Sequence, residues 1–192
     1  MPEDDPIQQS REQRLVTLTL ADQIAGARWD EPALPGDGSL HALLSHLLGW
    51  DEWLIAVLEV SSVRELPPKL VTVYRDVDGF NARSIARLAH VSRDDLMASL
   101  QGSSRRVASS AFAVGGQAWA QRRITELAPP RPPDAPADAP PSRGPTVGGL
   151  LRLMRRHEQA HGEEISAAFD VRVDLEQLRA DLTGEPRAQG QA

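Results

Sequence analysis

The stretch Thr146-Val-Gly-Gly-Leu150-Leu-Arg-Leu-Met-Arg155-Arg-His157-Glu-Gln-Ala-His161-Gly-Glu-Glu164-Ile165-Ser-Ala-Ala-Phe169 decides how this chain is read. Thr146 is a good N-cap and no proline interrupts the residues after it, so a helix is expected from Thr146 to about Phe169. At about 100° per residue, Leu150, Leu153, Met154, His157, His161, Ile165 and Ala168 fall on one face. Arg152, Arg155, Arg156, Gln159 and Glu163 fall off it. His157 and His161, four residues apart, are separated by only about 40° on that face. Adjacent imidazoles on an apolar stripe have a physical use. One divalent ion about 2.1 Å from each nitrogen satisfies both lone pairs and offsets the cost of burying them. Neutral imidazole suits zinc, nickel, iron and copper alike. The bland alternative is a surface pair with no ligand. Glu164 shares the face. It can complete a coordination sphere, orient a ligating histidine, act as a base, or pair with Arg152.

A second helix is expected from Leu40, capped by Ser39, to about Glu59. Leu43, His46, Trp50, Trp53 and Val57 occupy one contiguous sector of it. His46 therefore points where the aromatic side chains point, toward the interior, and is the candidate for a shared site. His41 lies about 140° away, with Ser45, Glu52 and Glu59, on a polar face. His90 falls at a helix end, where an imidazolium favours the C-terminal dipole, and is assigned no chemistry. Asp51 falls among leucines and is expected to pair with an arginine elsewhere, while Glu52 faces outward.

Working outward, residues 1–9 read as a loose arm. Ser10 and Gln13 form a capping box before a helix over about 11–27, and 28–38 is a proline- and glycine-bearing loop. After Pro67-Pro68 the segment around Val71, Val73 and Tyr74 is expected to be an irregular crossover, although it also suits a short strand. Helices are expected over about 78–90, after a Ser92/Asp95 cap, and over 115–127. Residues 129–145 hold eight prolines and read as extended or disordered. Leu175, Leu178 and Leu182 mark a short last helix, and 184–192 is a polar tail. The fold class is all-α: an antiparallel four-helix bundle over 10–183, with a long crossover and a short extra C-terminal helix.

Composition narrows the function. The formal net charge of −6, with 27 acids against 21 bases, argues against an electrostatic nucleic-acid partner. The absence of cysteine excludes disulfides, thiolate metal sites and a cysteine nucleophile. No apolar run is long enough to span a membrane, and the acidic start Met1-Pro-Glu-Asp-Asp is unlike a signal peptide, so a cytoplasmic protein is expected.

Ser39-Leu-His-Ala-Leu-Leu-Ser-His46-Leu-Leu-Gly-Trp50-Asp-Glu-Trp53 resembles the second helix of the DinB/YfiT-like metal-binding superfamily. His157-x-x-x-His161 resembles its C-terminal histidine motif. Asp76-Val-Asp-Gly-Phe-Asn81-Ala-Arg83, with Ser92-Arg-Asp-Asp-Leu96, is most similar to members related to mycothiol-dependent maleylpyruvate isomerase. The matched segments cover about residues 39–113 and 146–170. The resemblance implies a bundle holding nickel, zinc or a similar ion on His46, His157 and His161. It also implies a bacillithiol- or mycothiol-type thiol S-transferase acting on a small electrophile in detoxification or stress. It allows a homodimer. Metal-dependent hydrolysis and non-catalytic metal binding use the same ligands and remain open. Trp50, Asn81 and Arg83 are candidate substrate contacts; for Asn81 a helix cap or backbone bond, and for Trp50 the core, are the plainer roles. The departures are the long proline-rich insert and the lack of the isomerases' second domain.

Overall fold

The computed structural model describes residues 5–129 and 143–183, and within them the chain is helical. The expectations for most of the proline-rich segment and for the C-terminal tail lie outside the described residues. Among the described residues there is no strand, only two isolated bridges, Leu34 with Gly38 and Arg123 with Thr146. No described helix is long and apolar enough to cross a membrane.

Helix α1 (Pro6–Asp22) starts earlier than expected. The Asp5 side chain accepts from the Ile7 N–H at 2.9 Å, and Pro6 takes the first position, where a missing N–H costs nothing. The Asp5-Pro6 pair thus starts the helix, Ser10 lies inside it rather than capping it, and residues 6–9 of the expected arm are helical, while residues 1–4 lie outside the described residues. Helices α2 (Leu40–Ser61), α5 (Arg93–Gly115) and α6 (Val147–Phe169) begin at the expected caps Ser39, Ser92 and Thr146. Between α2 and α5 lie a single turn, α3 (Pro68–Val71), a 3-10 turn Thr72–Arg75, and α4 (Val77–Leu88). The Val-Thr-Val-Tyr segment is therefore helical rather than extended. The helix expected over 115–127 is replaced by 3-10 turns at Gly116–Gln121 and Thr125–Leu127, because Gly116 takes a left-handed φ of 54° that ends α5. A short α7 (Leu175–Thr183) closes the described chain.

The four long helices meet around one side chain. Arg14 of α1, 5% exposed, donates all five guanidinium N–H groups. Its Nε and Nη2 reach Glu158 of α6 at 2.6 and 3.1 Å. Nη1 and Nη2 reach Asp51 of α2 at 2.7 and 3.2 Å. Nη1 also donates to the Leu100 carbonyl of α5 at 3.0 Å, and Ser103 of α5 donates to Asp51. Burial works against the charged guanidinium, but the Asp51 and Glu158 carboxylates outweigh it and hold the pKa above its ordinary value. Asp51 thus has the arginine partner expected of it.

This polar layer separates two apolar clusters. One contains Ile7, Trp53, Leu54, Val107, Leu150 and Leu151; the other contains Leu20, Leu44, Leu96, Leu100, Ile165 and Phe169. Contacts on either side of the layer fix the helix directions. Ile7 and Leu151 line one cavity and Gln23 reaches Arg172, so α1 and α6 run the same way. His41 meets Val91 while Glu59 meets Arg106 and Ser110, so α2 and α5 also run the same way. The two pairs are opposed: Arg93 of α5 reaches Asp22 at the end of α1. The expected antiparallel bundle with a long crossover thus differs in containing two parallel pairs, which the connection through α3 and α4 makes possible.

One glycine sets the place of α4. A Cβ on Gly49 would overlap the Ser84 side chain, so α2 and α4 approach more closely than any other residue would allow.

Replacing Arg14 by Met leaves two buried carboxylates without their cation, and the expected loss is about 3–5 kcal/mol of folding stability in urea titration. Replacing Arg14, Asp51 and Glu158 together by apolar residues recovers most of it. A single Arg14→Met loss under about 1 kcal/mol, against that expectation, would contradict a structural role for the layer.

Candidate metal centre

His46 on α2 and His157 and His161 on α6 come together, half-buried, at one side of the polar layer. His46 Nε2 lies 3.0 Å from His157 Nε2, and His157 Nε2 lies 3.1 Å from His161 Nε2. The ring centroids are 4.6–5.1 Å apart and the rings stand edge to face. Sorting by helical face therefore selects the three histidines that meet. His41 is apart from them: its Nε2 is 2.9 Å from the Val91 carbonyl. His90 is exposed beyond the end of α4.

Two of the three rings are held from behind. Glu164 Oε2 lies 2.7 Å from His161 Nδ1, which leaves the Nε2 lone pair facing the cluster when Nδ1 carries the proton. This is the orienting contact among the roles open to Glu164, and Arg152 is exposed and not its partner in any ion pair among the described residues. Asn81 of α4 hydrogen-bonds His46 and accepts from Trp50 Nε1 at 3.0 Å. Trp50 also packs against Phe80, with ring centroids 4.9 Å apart, and against Trp53 at 5.5 Å. Arg83 does not join them. It is exposed, pairs with Asp76 at 3.1 Å, and lines a different surface depression with Glu52 and Arg87.

Burial, together with the neighbouring histidines, lowers His46 from 6.5 to about 4, against a smaller opposing effect of Asn81. His157 is likewise lowered from 6.5 to about 4 by burial and His161, with Glu164 opposing. Neutral rings are the ligating form.

The hydrogen bonds among these rings do not close. With His161 Nε2 offering a lone pair, one ring proton can serve either the His46–His157 contact or the His157–His161 contact, and the other pair meets lone pair to lone pair. His157 Nδ1 is buried with no partner among the described residues. A cation bound between the three Nε2 atoms removes the conflict. Two nitrogens bound tetrahedrally at about 2.1 Å stand about 3.4 Å apart, a few tenths of an ångström beyond the present separations. The residues fit a divalent transition metal ion.

A cavity of about 250 Å³ opens beside the cluster. His46, His157, Trp50 and Asn81 line it together with Val77, Leu153 and Met154. Leu153, expected on the covered face, is instead 43% exposed at this cavity. Ser45, expected on a polar face, is fully buried because α2 packs against neighbours on several sides. Arg14 and Glu158 were not singled out by sequence pattern. The one signal was Arg14 sitting on the same stripe as Ile7, Thr17 and Ala21, all buried.

Compared with protein-family models, with curated proteins and with solved structures, the chain matches none.

Because His46 and His157 ionise near 4 when folded and near 6.5 when unfolded, the unfolded chain takes up protons first. Their share of stability is whole above pH 6.5 and is lost as the pH falls toward 4. The urea midpoint of the metal-free protein is expected to drop across that window more steeply than that of a His46→Gln/His157→Gln variant. Equal slopes would contradict the assignment.

Proposed function

We propose that this chain is a metal-dependent enzyme of the DinB-like kind: a four-helix bundle whose His46, His157 and His161 hold a divalent transition metal. The observation that carries the reading is the convergence of the three Nε2 atoms, with a lone-pair conflict that a bound cation relieves. Nickel, zinc and iron are the candidate ions.

Such an ion supplies Lewis acidity, making a thiol or water acidic enough to act as a nucleophile near neutral pH. The chain's own residues do the rest. Glu164 holds the His161 proton on Nδ1, and Asn81 steadies His46. Trp50, Met154 and Leu153 form an apolar wall that limits water beside the histidines. With no cysteine in the chain, a thiol nucleophile must arrive as a separate small molecule. This favours transfer from a low-molecular-weight thiol, of the bacillithiol or mycothiol type, to a small electrophile. A cytoplasmic location and a homodimer accord with that role.

Purified protein reconstituted with zinc or nickel is expected to retain about one ion per chain by elemental analysis. Alanine at His46, His157 or His161 lowers metal affinity roughly tenfold or more, whereas His41→Ala leaves it unchanged. Absence of any stoichiometric metal would sink the reading. With an alkyl electrophile, substrate loss that depends on added thiol supports transfer, and thiol-independent loss moves the assignment to hydrolysis.

A further inference from the structure

We propose that the cavity beside the histidines is a binding site for a small uncharged molecule with an apolar tail and a carbonyl-type oxygen at its head. This deepens the function proposed above and rests on it for the chemistry at the head, but the apolar wall of the cavity is made by residues other than the histidines.

The lining contains no arginine, lysine, aspartate or glutamate. An ionic tail entering it would lose hydration without gaining a counter-charge. Its apolar wall is made by Trp50, Val77, Leu153 and Met154. Two of these are large apolar side chains left open to solvent: Val77 at 37% and Leu153 at 43% exposed. Leu153 stands one helical turn before His157 on α6, and no described element covers it. Exposed apolar surface at a concave site marks a place where a ligand is accommodated.

The polar end is set by Asn81. Indole Nε1–H is a donor only, so the bond from Trp50 fixes Asn81 Oδ1 toward the tryptophan. The contact with His46 favours that ring's protonated form and so uses the second lone pair of the same Oδ1, which leaves the amide NH₂ as the donor for a ligand oxygen. The size is also bounded. The volume of about 250 Å³ corresponds to about eight waters at about 30 Å³ each, the scale of a ligand with about eight non-hydrogen atoms. Hexanamide has that size and that chemistry.

The experiment monitors the methionine methyl resonances of the full chain, metal-free and zinc-loaded, during titration with propanamide, hexanamide, hexanoate and hexylamine. Met154 lies in the cavity and Met97 lies in the opposite apolar cluster, which supplies an internal control. Each methylene fully withdrawn from water tightens binding roughly fourfold. Hexanamide is therefore expected to shift the Met154 methyl, not Met97, with at least about tenfold higher affinity than propanamide. In the metal-free protein, hexanoate and hexylamine should bind at least about tenfold more weakly than hexanamide. Leu153→Asp, at an exposed position, should remove the gain with chain length and leave metal uptake intact. Equal affinity for propanamide and hexanamide, a preference of the metal-free protein for either charged probe, or a shift at Met97 instead of Met154 would overturn the proposal. Loss of metal uptake with the length preference intact would sink the metal reading alone. Normal metal uptake with no length preference would sink this one alone.

Discussion

The fold is organised around a single guanidinium that must be satisfied away from water. Arg14 offers five N–H groups in a rigid fork, and each finds an acceptor on another helix: Glu158, Asp51 or the Leu100 carbonyl. A fork engaged by two carboxylates tolerates little sliding, because a shift of one residue along α2 or α6 would leave a buried charge uncompensated. The apolar clusters on either side can be filled by many packings. The polar layer admits one register, and specificity rather than net stability is what such a layer contributes.

The histidine cluster inherits that register. Asp51 comes directly after Trp50 and lies five residues past His46, while Glu158 is the residue after His157. Consecutive residues on a helix point about 100° apart, so α6 sends Glu158 to Arg14 and His157 to the histidine cluster from the same turn. The bonds that hold α2 and α6 to Arg14 thus also set the offset at which His46 meets His157. A third support comes from α4. The close approach of Gly49 to Ser84 brings α4 near enough for Asn81 to reach both Trp50 and His46. All three histidines stand on long helices rather than loops, which keeps their separations short and fixed.

The features legible in the sequence were those that depend on one helix at a time. The faces of α2 and α6 separate His46, His157 and His161 from His41, and the caps Ser39, Ser92 and Thr146 mark their helix starts, since both are consequences of local geometry. Features that depend on two elements were legible only as an anomaly. Asp51 among leucines called for an arginine, but nothing local identifies Arg14. An arginine on an apolar stripe reads as a surface residue until its acceptors on three other helices are known. Ser45 and Leu153 fail in opposite directions for one reason. Periodicity assigns a face, but whether that face is covered depends on its neighbours. The start of α1 was a different kind of miss, because Pro6 breaks a helix interior and yet suits a first turn.

The histidine cluster and the polar layer solve opposite problems with similar means. Around Arg14 every donor has an acceptor, so the layer is complete without a ligand. Among the three imidazoles the nitrogens face one another with too few protons to go round, and His157 Nδ1 has no partner among the described residues. Burial keeps two of the rings neutral instead of letting them relieve the conflict by charging. A cluster held in that condition by rigid helices carries a cost in the folded chain, and an ion that satisfies the three nitrogens returns it. Binding free energy of that kind reappears as folding free energy, because the unfolded chain has no preformed site. The complete layer can thus hold the helices in place whether or not an ion is bound, and that rigidity keeps the incomplete cluster ready to accept one.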